Sequence, residues 1–217
     1  MTNTVIIIPS RLSAKRLPNK PLKIIKGQEM ILHVLNSALK SDVDDVLVAT
    51  PDKIIADLVN LNGGKSFLSK KTHATGTDRV FEAFENYFTS KPDFIINLQG
   101  DMPNLNSKLI SFLNEYLKKN ICDVVTLAGP FNNRVNEISD KNVVKVLTKD
   151  DIQKTTFSEA IDFQRNIVPK KNFFTYHHIG IYGFTKNALI KYINLKRSKL
   201  ELDRNLEQMR ALENNMI

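Results

Sequence analysis

Cysteine is nearly absent from this chain. A single Cys122 among 217 residues can neither close an internal disulfide nor supply a cysteine metal cluster, which fits a reducing compartment and makes Cys122 read as a buried thiol. Long apolar runs are missing too: none approaches the roughly 18 to 20 residues needed to cross a bilayer, and the charged start, apolar core and cleavage site of a signal peptide are lacking. The expectation is a cytoplasmic protein with no membrane partner. There is no internal repeat, flexible linker or low-complexity tail. Neither Gly-x-x-x-x-Gly-Lys nor Gly-x-Gly-x-x-Gly occurs, which disfavours the common ATPase and dinucleotide-binding folds.

A hydrophobic share of 42% beside 25% charged residues is ordinary for a globular chain and argues against disorder. The length suits one domain, with or without a small second lobe. The net charge of +8 invites a nucleic-acid reading. Its lysines, however, are scattered rather than gathered into a stripe, so no nucleic-acid partner is expected.

Short β-branched runs recur with helical stretches between them. Val5 to Ile8, Asp45 to Ala49, Phe94 to Leu98 and Val124 to Leu127 read as buried parallel strands, the pattern of an α/β fold with crossover helices. Met30 to Leu39 and Ile54 to Val59 repeat at helical spacing, the second stopped by Gly63-Gly64 as a C-terminal cap. Thr77-Asp78 is the expected cap of a helix over Val80 to Tyr87, and Ser107 of one over Leu109 to Leu117. Beyond Pro130, Val143 to Leu147 and Thr175 to Phe184 read as strands of a more antiparallel kind. Helical periodicity returns through Leu189, Ile190 and Ile193, then Leu206, Met209 and Leu212.

The chemistry concentrates at strand ends. Val5-Ile6-Ile7-Ile8 meets Pro9 and gives way to Arg11, Lys15, Arg16 and Lys20, pinned by Pro18 and Pro21. In open parallel sheets ligands bind beyond the carboxyl ends of the strands, so these cations belong in a crevice suited to phosphates. Asn97-Leu98-Gln99-Gly100-Asp101 follows the third strand, and a lone carboxylate there suits magnesium, which takes its other ligands from phosphate and water. Thr75-Gly76-Thr77-Asp78-Arg79 is a glycine turn at a helix start, able to meet a base or ribose or simply to cap the helix. Together these features describe a metal-nucleotide site.

The segment Pro9-Ser10-Arg11, Ser13 and Arg16-Leu17-Pro18-Asn19-Lys20-Pro21-Leu22 resembles the nucleotide signature of the sugar nucleotidyltransferases. Ala74 to Arg79, Asn97 to Asp101, Asn142 to Val146, His178 to Phe184 and Leu206 to Arg210 follow in order, and the run is similar to the cytidylyltransferases of 3-deoxy-D-manno-octulosonate (Kdo), enzymes of lipopolysaccharide synthesis. The resemblance implies a Rossmann-like nucleotide-diphospho-sugar transferase fold with a central, mostly parallel mixed sheet and flanking helices. It implies one nucleotidyltransferase domain over 1–217: a nucleotide-binding part at 1–129, a small dimerisation lobe at 130–176, and a sugar-binding strand with C-terminal helices at 177–217. It also implies transfer of CMP from CTP to the sugar acid with release of pyrophosphate, in a homodimer. By analogy Arg11 and Lys20, with Arg16, hold the triphosphate and Asp101 holds Mg2+. Ser10, Ser13 and the turn Thr75, Gly76, Thr77, Asp78, Arg79 hold the cytidine, and Gln99, His178, Tyr182, Glu207 and Gln208 face the small anionic sugar acid.

The chain departs from the family pattern at several points. Met102 stands where a Glu is usual, Glu159 where an Arg helps hold the sugar carboxylate, and Asp203-Arg204 where an Ile-Glu pair is common. Relatives also continue past the position of Ile217 through a turn whose Asp is a second metal ligand, so weaker magnesium binding and reduced activity are expected of these 217 residues. Glu159 keeps a different 2-keto sugar acid open as the acceptor. The single metal carboxylate keeps open a nucleotide-binding homologue without turnover.

Overall fold

A computed structural model describes residues 3–13, 17–70, 72–119, 121–132, 134–166 and 172–217, the side chains of 134 and 135 aside. In chain order the first elements are β1 (Thr4–Pro9), β2 (Ile24–Ile25), β3 (Gln28–Glu29), α1 (Met30–Leu39), β4 (Asp45–Thr50), α2 (Lys53–Leu61), β5 (Lys65–Leu68), α3 (Gly76–Tyr87), β6 (Phe94–Leu98) and α4 (Ser107–Lys118). Then follow β7 (Val124–Gly129), α5 (Arg134–Ser139), β8 (Lys145–Thr148), α6 (Ile152–Thr155), β9 (Ala160–Gln164), β10 (Phe174–Thr185), α7 (Lys186–Asn194), α8 (Lys199–Arg204) and α9 (Met209–Glu213). These form two compact units, one of residues 1–125 and 181–193, the other of 126–180 and 194–217.

In the first unit the strands lie in the order β5-β4-β1-β6, all parallel. Residues 181–185 of β10 pair antiparallel with β6 on its far side. Every residue of β1 and β6 is buried, which is why these strands read as unbroken apolar runs: helices cover both faces of the sheet. Helix α3 packs on β1, α2 on β4 and β5, and α4 on β6. The strand order changes direction at β1, with β4 on one side of it and β6 on the other. Such a point, at the carboxyl ends of the strands, is where sheets of this kind bind ligands.

Helix boundaries correct two of the expected caps. Thr75, not Thr77, caps α3: its hydroxyl accepts the Asp78 amide at 3.2 Å while the Asp78 carboxylate accepts the Thr75 amide at 2.9 Å, a reciprocal box that puts Gly76 and Thr77 inside the helix. Asn106, not Ser107, caps α4, accepting the Lys108 amide at 2.9 Å. The short strand β5 went unread because four residues of mixed exposure at a sheet edge leave no apolar run. Cys122, expected to be buried, is only half-buried, and burial still pushes its thiol up.

The second unit is antiparallel. β8 pairs with β9 and with residues 174–177 of β10, around a core of Val146, Phe163, Tyr176, Leu206 and Met209. The Lys145 ammonium has no exposed surface and donates to the carbonyls of Asp140 at 2.5 Å and Arg165 at 2.8 Å. Burial lowers its pKa, and the two carbonyls satisfy a cation that would otherwise be costly to bury. Of the departures from the family pattern, Arg204 is structural here: it donates to Asp162 at 2.5 Å and to the Phe163 carbonyl at 2.8 Å.

Candidate active site

The loop after β1 is tied down at three points. The Ser10 amide donates to the Ala49 carbonyl at 2.9 Å, the Leu12 amide to Asp52 at 2.8 Å, and the Asn19 amide to the Leu12 carbonyl at 3.2 Å. Asn19 adopts the left-handed conformation, φ 56°, which Asn tolerates better than most residues, and this turn delivers Lys20. The loop after β6 comes in close: a Cβ on Gly100 would stand 2.8 Å from the Pro9 carbonyl oxygen. Only glycine lets the two strand ends approach in this way.

Between them lies a cleft lined by Pro9, Ser10, Arg11, Lys20, Thr75, Gly76, Arg79, Gln99, Gly100 and Asp101, with Pro21 and Met30 behind. Lys20 Nζ donates to Asp101 Oδ2 at 2.7 Å, and the two side chains remain 34% and 52% exposed. Arg79 is 4% exposed; its Nε and the Ser10 hydroxyl are buried with no hydrogen-bond partner among the described residues. Burial, and then the charge of Arg11, lower the pKa of Arg79, while Asp52 and Glu82 oppose them. Three cations, Arg11, Lys20 and Arg79, therefore face one carboxylate, Asp101, among the lining residues. A surplus of cations over carboxylates in the lining, beside buried donors without a partner among the described residues, suits an anion.

Gln99 is held for this cleft by a relay of amides. Its Nε2 donates to Asn97 Oδ1 at 3.2 Å, and Asn97 Nδ2 donates to the Thr77 hydroxyl at 3.0 Å, which locks β6 to α3.

Ser10, Arg11, Lys20, Thr75, Gly76, Arg79, Gln99 and Asp101 thus share one cleft. Three other candidates for the nucleotide do not line it. Thr77 is buried against Asn97, the Asp78 carboxylate is engaged in the capping box, and Ser13 is exposed outside the lining. Arg16 lies outside the described residues.

Of the sugar candidates, Tyr182 is buried in the first unit at 7% exposure without lining the cleft. His178, Glu207 and Gln208 belong to the second unit. There Gln208 is buried, Glu207 is half-buried, and His178 hydrogen-bonds the Thr126 hydroxyl at 3.0 Å with its ring edge-on to Phe163. Glu159 is exposed with Lys149 4.0 Å away, while Arg165 donates to the Lys141 carbonyl.

Burial, with the neighbouring His177, pushes His178 down to about 3. It is expected to stay neutral, its ring resonances flat from about pH 5 to 8 by NMR. Because the unfolded side chain protonates near 6.5, the protein loses stability as pH falls below that value toward 3.

Sequence reading missed Asp52, which fixes the Leu12 amide. Its signal was there, an acid directly after a strand end in Thr50-Pro51-Asp52.

A parallel α/β sheet with a cation-rich cleft at its switch point defines the class of protein, one built to bind an anionic ligand such as a phosphate. The chain belongs to the cytidylyltransferase family, which it matches over residues 5–217. It is 37% identical over 214 residues to a 3-deoxy-manno-octulosonate cytidylyltransferase of Rhodopseudomonas palustris, covering 98% of this chain and 86% of the relative. It is equally 37% identical to the enzyme of that name from Rickettsia typhi, covering 99% and 86%. A solved CMP:2-keto-3-deoxy-manno-octonic acid synthetase complexed with CTP superposes with TM-score 0.86 at 32% identity, covering 99% of this chain and 87% of that one.

Proposed function

We propose that the protein activates Kdo, transferring CMP from CTP to the sugar and releasing pyrophosphate. The observation that carries this reading is the surplus of Arg11, Lys20 and Arg79 over Asp101 at the strand switch point. A triphosphate supplies the balancing negative charge, and the Ser10 hydroxyl and Arg79 Nε are buried donors with no partner among the described residues. The anomeric hydroxyl of the sugar attacks the α-phosphorus, forming an O–P bond as the α-phosphorus to bridging-oxygen bond breaks; pyrophosphate leaves with that electron pair and the hydroxyl proton passes to solvent. Charge grows on the phosphoryl oxygens and the departing pyrophosphate, where Arg11, Lys20 and Arg79 offset it with little reorganisation.

The donor set fits magnesium. Asp101 is half-exposed at the mouth of the cleft and already holds one cation, the Lys20 ammonium, at 2.7 Å. A single carboxylate leaves the remaining positions to phosphate and water, as this ion prefers. When bound there, magnesium would neutralise phosphate charge and polarise the phosphoryl group. Lys20 would then pass from Asp101 to the triphosphate, one cation replacing another on the carboxylate. By family resemblance Gln99 and Tyr182, and separately His178, Glu207 and Gln208, are the candidates for the sugar acid, and the protein works as a cytosolic homodimer.

Pyrophosphate release in the presence of magnesium tests the proposal. With CTP and Kdo the expected result is release in step with CMP-Kdo, with none from CTP alone. Silence with Kdo but turnover with another 2-keto sugar acid would replace the acceptor, a reading that Glu159 favours. CTP binding without turnover on any acid would leave a nucleotide-binding homologue.

A further inference from the structure

Several donors from the segment joining β5 to α3 converge on one carboxylate outside the cleft. Glu82 on α3 is 7% exposed. Its Oε2 accepts the Ser69 hydroxyl and, at 2.6 Å, His73 Nε2, and the carboxylate also takes the Lys70 amide. Ser69 is anchored in turn by its own amide, which donates to the Thr50 carbonyl at 2.8 Å. The segment is thus tied at its start to the end of β4, in its middle to Glu82, and at its end to the Thr75 cap.

This cluster contains Ser, His and Glu but is not a nucleophilic triad. The Ser69 hydroxyl lies 3.3 Å from His73 Nε2 but donates to Glu82, which the same Nε2 also contacts at 2.6 Å, so the imidazole is not set to take the hydroxyl proton as a nucleophile's base must. Nor does α3 need Glu82 in order to form. The capping box closes its first turn, and Val80, Ala83 and Phe84 bury its apolar face. What the carboxylate does is hold the segment that ends in Thr75 and Gly76, both of which line the cleft. Arg79, three residues before Glu82 and on the same side of the helix, lines it too, and the Glu82 charge favours its protonated form.

We propose that Glu82 is a positioning residue for nucleotide binding: by gathering Ser69, Lys70 and His73 it presets the Thr75-Gly76 edge and Arg79 for CTP. The inference rests on CTP occupying this cleft. Without the anchor, the segment must be ordered when the nucleotide binds, and that entropy is subtracted from affinity. Most of what the anchor orders, the segment from Ser69 to Gly76, meets the nucleotide alike before and during the reaction, so the larger part of the loss falls on binding.

Calorimetry with CTP and magnesium, followed by steady-state kinetics, tests it. Glu82→Gln is expected to raise the Kd and KM for CTP about tenfold while kcat changes by less than about twofold, the split expected when uniform binding is lost. Ser69→Ala, which deletes a single donor, should weaken CTP about threefold. Glu82→Asp should recover part of the loss. Variants that melt earlier than wild type yet bind CTP with wild-type affinity would show a packing role and overturn the inference. Should Glu82→Gln fail to fold, Ser69→Ala and His73→Gln read out the same quantities. Wild-type protein that does not bind CTP defeats the functional reading; wild type that binds, with variants unchanged, defeats only this inference.

Discussion

Asp101→Asn should lower kcat/KM for pyrophosphate release about a thousandfold, or about 4 kcal/mol of transition-state stabilisation, and leave the fold intact. The two effects separate because they rest on different physics. The Lys20–Asp101 pair is 34% and 52% exposed, and ion pairs in that setting contribute about 0 to 1 kcal/mol to stability. Melting should therefore move by no more than a few degrees. On the proposed reading the same carboxylate holds the magnesium that offsets charge growing on the polyphosphate, and there a fixed charge counts for far more than at a free surface. Asparagine keeps the size and one oxygen but removes the anion, so the magnesium dependence of the residual rate should flatten. Activity within tenfold of wild type would remove Asp101 from the proposed chemistry.

Glu201→Ala should be the most destabilising of the changes considered, costing about 3 to 5 kcal/mol because it strands the buried Arg210 cation. Glu201 has no exposed surface and Arg210 is 2% exposed. The guanidinium donates twice, Nε to Oε2 and Nη2 to Oε1, both at 2.8 Å, and Arg197 Nε adds a bond to Oε1 at 2.7 Å. Denaturant unfolding of the variant measures the loss; pairing it with Arg210→Met should recover much of it, since the buried charge then leaves as well.

The same network sets an acid limit. Burial alone would raise the Glu201 carboxyl, but the hydrogen bonds from Arg210 and Arg197 outweigh it and hold the group below its ordinary 4.5. A depressed folded pKa means that the unfolded chain binds the proton first. The stabilisation is therefore complete above about 4.5 and is lost as pH falls through the folded value.

How far the sequence alone could be read depends on how local each feature is. Thr4–Pro9 and Phe94–Leu98 announce themselves because a strand covered on both faces has no polar position to confuse it. Met30–Leu39 is equally plain from its periodicity. The Thr75 cap was legible in its Thr-x-x-Asp spacing, though the neighbouring Thr77 offered a similar side chain and only the backbone bonds decide between them. β9 was hidden: Ala160-Ile161-Asp162-Phe163-Gln164 breaks its apolar run with Asp162, which is tolerable only because Arg204 arrives from α8 to pair with it. That partner is 42 residues away in the chain.

The sequence by itself determined the residue types: β-branched runs for a parallel sheet, cations after β1, an acid after β6, and the ordered motifs of a cytidylyltransferase. Tertiary structure decided which of those residues meet. It drew Arg79 from α3 and Gln99 from the loop after β6 into one cleft with Lys20 and Asp101, turned Thr77 and Asp78 to structural bonds, and gave Glu82 its donors. The physical reason is range. Strand and helix propensity act over a few residues, whereas a charge surplus or a buried hydrogen bond exists only once the β1, β4 and β6 ends stand side by side.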